Sequence, residues 1–181
     1  MNESCYLCID LKSFYASVEC VERGLDPLKA KLVVADPERG DNTICLAVTP
    51  TLKKMGVKNR CRIFQIPPTI EYIKAVPRMK LYIKYSARIY KIYLKYFSKD
   101  DIHVYSIDEV FIDASRYLGM YGRDAEAMVK AILKDIFEST GITAACGIGT
   151  NLYLAKIALD IEAKKSKDGI AVLNEKTYRE I

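Results

Sequence analysis

The chain has 181 residues, of which 50% are apolar and 28% are charged, and its formal net charge is +5. This length suits one ordinary domain, or one domain with a small inserted subdomain, and the charged fraction excludes a disordered tail. No long uncharged apolar run is present, which excludes a membrane span, and the N-terminal residues lack the pattern of a secretory signal. We therefore expect a cytoplasmic globular protein, whose mild basicity is compatible with an acidic partner without identifying one.

The first half of the chain predicts short elements. In chain order they are a strand at 5–11, a helix at 12–23, strands at 31–35 and 43–48, a helix at 51–55, and a helix of about ten residues that ends at Val76-Pro77. Segment 24–78 contains several prolines and extra basic residues, so we interpret it as a subdomain inserted after the first helix.

The second half predicts longer elements that alternate between strands and helices. They are a helix from 80 to about 97, strands at 102–107 and 109–114, a helix at about 124–139, a strand at 142–148, a helix at about 151–164 and a strand at 170–173. This order is typical of an α+β fold in which helices cover a mixed or antiparallel sheet.

The cysteines indicate no metal chemistry. Cys5 and Cys8 form a lone C-x-x-C, no second pair follows, and His103 is the only histidine. We expect all six cysteines to act as small core hydrophobes in a reducing compartment.

Three carboxylates fall where predicted strands end or turn. Asp10 follows the apolar run that begins at Tyr6, and Asp108 and Glu109 interrupt a β-rich run. Asp10 alone could be a helix cap, and the adjacent acids could be a solvated hairpin tip. If the strands are neighbours, the three could instead hold two Mg²⁺ ions together with substrate phosphates, because a cation relieves their repulsion. The sequence alone leaves this choice open.

A glycine-containing segment, Gly147-Ile-Gly-Thr-Asn151, follows a strand and opens a helix. Such a turn could attract a phosphate through its amides, although most such turns are only turns. Lys156 lies in the apolar part of that helix and could point a cation into a cleft or extend to the surface.

Two basic clusters could contact phosphates or form solvated faces. One is a helical stripe of Lys80, Lys84, Arg88, Lys91 and Lys95. The other, in the inserted segment, contains Lys53, Lys54, Lys58, Arg60 and Arg62.

Three motifs together resemble the Y-family of lesion-bypass DNA polymerases, in particular the UmuC-like ImpB/MucB/SamB group. Residues 10–19 resemble the opening motif of that family, Ser106-Ile-Asp-Glu109 resembles its second catalytic motif, and residues 147–158 resemble its third. The motifs occur in the family order and at its approximate spacing, and the similarity covers nearly the whole chain.

The resemblance implies a ferredoxin-like palm at 1–13 and 80–174, a small fingers subdomain at 14–79, and the start of a thumb at 175–181. Its catalytic and metal ligands would be Asp10, Asp108 and Glu109, with the carbonyl of Leu11 as a further ligand to two Mg²⁺ ions, for which Mn²⁺ can substitute. The implied nucleotide-binding residues are Tyr15, which would also be the steric gate against ribose, and Phe14, Lys53 and Lys156. Lys53 offers a point charge without the bidentate geometry of arginine.

The implied function is template-directed addition of deoxynucleotides to a primer 3′-hydroxyl opposite damaged DNA, with primer-template DNA and dNTP as partners. We expect a catalytic-core fragment with no membrane partner, in which a sliding clamp or recombinase is reached only through segments beyond this chain. The residues leave two alternatives open: a palm-type nucleotidyl cyclase, which segment 24–78 disfavours, and a catalytically silent DNA- or partner-binding module.

Overall fold

A computed structural model describes residues 4–180. Residues 1–3 of the predicted palm and residue 181 of segment 175–181 lie outside the described residues. The strands are β1 (Tyr6–Leu11), β2 (Leu32–Val34), β3 (Ala47–Val48), β4 (Ile73–Ala75), β5 (Ile102–Val104), β6 (Glu109–Asp113), β7 (Ala144–Gly149) and β8 (Ile170–Leu173). The α-helices are α1 (Phe14–Glu22), α2 (Pro50–Lys54), α3 (Met79–Tyr96), α4 (Ala125–Thr140), α5 (Leu152–Ala158) and α6 (Glu175–Tyr178).

The chain forms two compact units. The first unit comprises the residues up to Leu11 together with those from Ser86 onward, and the inserted unit comprises Lys12–Tyr85. The first unit contains a five-stranded sheet in the order β5-β6-β1-β7-β8, in which all pairs are antiparallel except β7 with β8. This confirms the predicted α+β class with a mixed sheet covered by helices.

The central strand β1 is buried because both of its neighbours are strands and helices cover the sheet. Cys8 and Ala145 pack against the apolar side of α5, including Leu154 and Ala155, in one core cluster. Because side chains alternate along a strand, Leu7 and Ile9 point to the opposite face, and both are fully buried.

The inserted unit has its own three-stranded sheet, in the order β3-β2-β4, with β4 parallel to β2. The prediction of a ten-residue helix ending at Val76-Pro77 is wrong, because β4 lies there. Prolines at both ends keep this segment short, and the spacing of its apolar residues Tyr72, Ile73 and Ala75 is compatible with a strand as well as with a helix. Parallel pairing with β2 decides the outcome.

A buried ion-pair cluster holds α1 of the inserted unit in place. The side chain of Glu19 is fully buried and accepts hydrogen bonds from Arg78 at 2.9 and 2.7 Å and from the Tyr82 hydroxyl at 2.8 Å. Arg23 is a second cationic partner, one turn along the same helix. A carboxylate without these donors would be costly at this position.

The other predicted elements are confirmed within a few residues, with one break in regularity. The predicted helix at 151–164 consists of α5 followed by a π-helical turn, Leu159–Ala163. Of the helices within residues 4–180, none combines the length and apolar character needed to cross a bilayer.

Candidate active site

The strands that carry the three predicted carboxylates are neighbours. Asp10, the penultimate residue of β1, lies directly opposite Glu109, the first residue of β6. The next amide on β1, that of Leu11, donates a hydrogen bond to the carbonyl of Asp108 at 2.9 Å. Directly opposed side chains have Cβ atoms about 5 Å apart, so the register places these acids at one end of the sheet.

Each carboxylate has its own donor. Lys156 Nζ lies 2.7 Å from Glu109 Oε1, Lys164 Nζ lies 2.7 Å from Asp10 Oδ2, and Ser106 Oγ donates to Asp108 Oδ1 at 2.8 Å. With the acids directed to these donors, no three His, Cys, Asp or Glu side chains within residues 4–180 converge on a common point as metal ligands would. The structure therefore brings the acids to one sheet end, where lysines are the counter-ions of Glu109 and Asp10 and a serine hydroxyl is the donor to Asp108.

The electrostatics of this site balance burial against charge pairing. Burial raises the pKa of Asp10, although the hydrogen bond and charge of Lys164 partly oppose the shift. Burial alone would lower the pKa of Lys156, but Glu109 and Asp160 outweigh it and raise that pKa. Burial likewise opposes the charge of Lys164, but hydrogen bonds and charge from Asp10 and Asp160 raise its pKa as well.

The segment that carries Lys156 packs unusually close to the sheet. A Cβ on Gly147 would lie 2.0 Å from the Ala155 carbonyl oxygen, and one on Gly149 would lie 2.3 Å from the Ala155 nitrogen. These glycines belong to the buried strand β7 and permit this approach, so the tight-turn interpretation is wrong for them. Asn151 caps the helix by accepting from the Leu154 amide at 2.8 Å.

The remaining predicted site residues, Phe14, Tyr15 and Lys53, belong to the inserted unit. Tyr15 stacks on Tyr82 with ring centroids 4.5 Å apart and lies 5.8 Å from the ring of Phe14, which is buried. Lys53 Nζ donates to Ser13 Oγ at 3.0 Å. Tyr15 also lines a cavity of about 920 Å³ within this unit.

The two basic clusters differ in their surroundings. The helical stripe on α3 is exposed, and two of its members are engaged: Lys95 pairs with Asp135, and Arg88 donates to the Ser139 carbonyl. In the other cluster, Arg60 and Arg62 line the cavity beside Tyr15. The stripe is thus exposed to solvent, whereas these two arginines border a cavity.

Sequence reasoning missed Lys164, which contacts Asp10. The available signal was a repeat of four residues, since Lys156, Asp160 and Lys164 follow one another at that spacing. Asp160 accepts from both lysines, at 3.3 and 2.8 Å. The spacing does not by itself indicate which strand residues the lysines reach.

Comparisons with known proteins agree with the three motifs. Residues 9–160 match the impB/mucB/samB family. The putative UV-damage repair protein UvrX of Bacillus subtilis is 42% identical over 168 residues, covering 91% of this chain and 38% of UvrX. DNA polymerase IV 2 of the same organism is 36% identical over 180 residues, covering 99% of this chain and 43% of that protein.

Solved structures show the same architecture. An insertion ternary complex of Dbh DNA polymerase matches with a TM-score of 0.81 and 26% identity, covering 97% of this chain and 50% of that one. DinB from Sulfolobus solfataricus matches with a TM-score of 0.78 and 27% identity over the same shares. This chain spans half or less of the length of these relatives. On the match over residues 9–160, the chain belongs to the impB/mucB/samB family, the Y-family group that its motifs resemble.

Proposed function

We propose that this chain is the catalytic region of a DNA-directed DNA polymerase that adds deoxynucleotides opposite damaged template. The observation that carries the proposal is the register of β1 against β6, which pairs Asp10 with Glu109 and ties Asp108 to Leu11. The names of the relatives, a UV-damage repair protein and DNA polymerase IV, support this reaction and its role in damage tolerance.

Membership of this family implies use of a divalent metal, and the residues present fit one. Asp10, Asp108, Glu109 and the Leu11 carbonyl offer only hard oxygen donors, which Mg²⁺ prefers, and Mn²⁺ can replace it. When bound, two such ions would lower the pKa of the primer 3′-hydroxyl and neutralise charge on the departing pyrophosphate.

The chain's own residues would bind and orient the nucleotide. Lys156 is placed beside Glu109 and would turn its ammonium group to the triphosphate. Lys53 would add a second positive charge. Tyr15, held by its stack on Tyr82 and supported by Phe14, would present a rigid ring under the sugar that excludes a 2′-hydroxyl.

We assign the palm to the first unit and the fingers to the inserted unit. Primer-template DNA and dNTP are the proposed partners, and two of the matched structures are ternary complexes of Dbh polymerase. Such an enzyme would work in the cytoplasm. A sliding clamp or recombinase would be reached only through segments outside these 181 residues.

Metal-dependent dNTP binding by the 181-residue chain tests this function. Calorimetry in Mg²⁺ should show binding that Asp108→Asn weakens at least tenfold, as expected for loss of a metal-linked carboxylate. Asp113→Asn is the matched control, because Asp113 lies at the far end of β6, the strand that Asp108 immediately precedes, and its carboxylate accepts from the Ser115 amide at 3.1 Å.

Primer extension by the same proteins completes the test. This fragment alone is expected to be weakly active or inactive, so the test is that any incorporation by the native chain persists in Asp113→Asn and is lost in Asp108→Asn. Equal dNTP affinity in all three proteins would contradict the assignment of Asp108 to the metal site.

A further inference from the structure

Two cysteines of the inserted unit lie directly opposite each other beside a short antiparallel bridge. Ile44 pairs with Arg62 in that bridge, and next to this pair the Cys45 amide donates a hydrogen bond to the Cys61 carbonyl at 2.8 Å. The antiparallel register therefore sets Cys45 against Cys61. Directly opposed side chains leave the same face of the two paired segments, so the two thiols face each other.

Both thiols lie on the inner face of the bridge. Cys45 is fully buried in the core of the inserted unit, and the half-buried Cys61 packs against that core. Burial raises the pKa of Cys45, and the charge of Cys61 and a hydrogen bond between the two side chains raise it further. Cys8 and Cys146 also lie on neighbouring strands, but Cys146 is opposite the next residue along β1, so these two side chains point to opposite faces.

We propose that Cys45 and Cys61 are a redox-sensitive site that forms a reversible disulfide on the inner face of this bridge. Opposed residues of this kind have Cα atoms about 5.5 Å apart, which a disulfide can span, but their Cβ atoms are about 5 Å apart and the bond prefers about 3.8 Å. The bond would therefore draw the two segments together and hold strain. Strain makes a disulfide easier to reduce, which suits a reversible modification better than a permanent crosslink.

A low-molecular-weight disulfide such as oxidised glutathione is the oxidant for this step. Cys61, the more accessible thiol, attacks it as the thiolate, forms a mixed disulfide and releases the first small thiol. Cys45 then loses its proton and attacks the Cys61 sulfur, and the second small thiol leaves. The two protein thiols give up two electrons and two protons, and the small disulfide takes them up as two thiols. Burial and the raised pKa of Cys45 make the second attack the slower one.

The outer face of the same bridge forms part of the cavity beside Tyr15. Ile44 and Arg62 line that cavity. Because side chains alternate along paired segments, drawing Cys45 toward Cys61 on the inner face also moves Ile44 and Arg62 on the outer face. Oxidation is therefore expected to change the shape of the cavity.

Equilibration of the full 181-residue chain with glutathione, followed by tryptic mapping without reductant, tests the proposal. Trypsin cuts after Lys53 and Arg60, so a disulfide is needed to keep the peptides of Cys45 and Cys61 together. Oxidised glutathione should link these peptides in most of the native chain, and about a hundredfold excess of reduced glutathione should separate them again.

Amide hydrogen exchange provides a second measurement. The Ile63 amide, which donates to the Thr43 carbonyl at 3.1 Å, should exchange at least about tenfold more slowly after oxidation, because the disulfide opposes local opening. Cys61→Ser should lose this response. Cys20→Ala is the matched control and should keep it, because Cys20 is a buried cysteine of the same unit that lies on α1. Cys61→Ala replaces Cys61→Ser if the latter does not fold.

The opposite results would overturn the redox site. These are the absence of linked peptides at equilibrium, glutathione attached to Cys61 alone, or a link that excess reduced glutathione leaves intact. Slowed exchange that persists in Cys61→Ser would have the same meaning. None of these measurements involves nucleotide or metal, so failure of the redox site would leave the proposed function standing.

Discussion

Replacing Gly147 by alanine would force strand β7 and helix α5 apart. The added Cβ would lie 2.0 Å from the Ala155 carbonyl oxygen and 2.4 Å from the Leu159 nitrogen. Ordinary contact begins near 3.4 Å, so these backbones must separate by roughly 1.4 Å. A gap of that size forfeits much of the packing of Leu154 and Leu159, and we expect a loss of about 3 kcal/mol, at the upper end of overpacking effects.

Urea unfolding followed by circular dichroism measures this loss. With a slope of about 2 kcal/mol per molar urea, the midpoint should fall by about 1.5 M. Gly119→Ala is the matched control, because a Cβ there meets nothing within 4 Å and its backbone is not left-handed. Equal midpoints for the two variants would refute the close approach of β7 and α5.

Two further substitutions test the inserted unit. Glu19→Gln should lower the free energy of unfolding at pH 7 by about 2 kcal/mol, less than for a fully buried pair because Arg23 and Arg78 are partly exposed. Burial would raise the pKa of Glu19, but hydrogen bonds from both arginines and Tyr82 outweigh it and lower that pKa. The extra stability of the native protein over Glu19→Gln should therefore be complete above the pKa of the unfolded state, about 4.3, and disappear as pH falls through the pKa of the folded state. Urea titrations in acid that still show this difference in stability would contradict the assignment. Tyr15→Ala should raise ribonucleotide incorporation relative to deoxyribonucleotide incorporation at least about tenfold in primer extension, whereas an unchanged ratio would remove the gate role.

Local pattern predicted much of the fold. Strand β8 occupies the predicted residues 170–173, and α3 begins and ends within one residue of its expected bounds. Both elements have clear apolar periodicity and clear flanking signals. The segment before Pro77 lacks such signals, because the apolar spacing of the eight residues between the prolines fits a helix as well as a strand. Only the pairing of β4 with β2 makes it a strand.

The residue types of the candidate site were predictable from the sequence, but the contacts between those residues were not. Acids at 10, 108 and 109 allow a metal site as one interpretation, yet the sequence does not give the register that sets Asp10 against Glu109. Lys164 was missed for a related reason. The apolar pattern of the sequence does not indicate the π-helical turn that precedes Lys164. The direction in which that turn points the lysine is therefore set by tertiary packing and cannot be read from the pattern.

The central position of β1 has a consequence for how the chain folds. Residues 6–11 are synthesised well before their partners, β6 and β7, the latter of which ends at Gly149. The intervening residues 12–85 can complete a sheet and core of their own before β6 emerges. An apolar strand therefore remains unpaired while residues 12–108 are added, which favours slow assembly and exposes the strand to aggregation in the nascent chain.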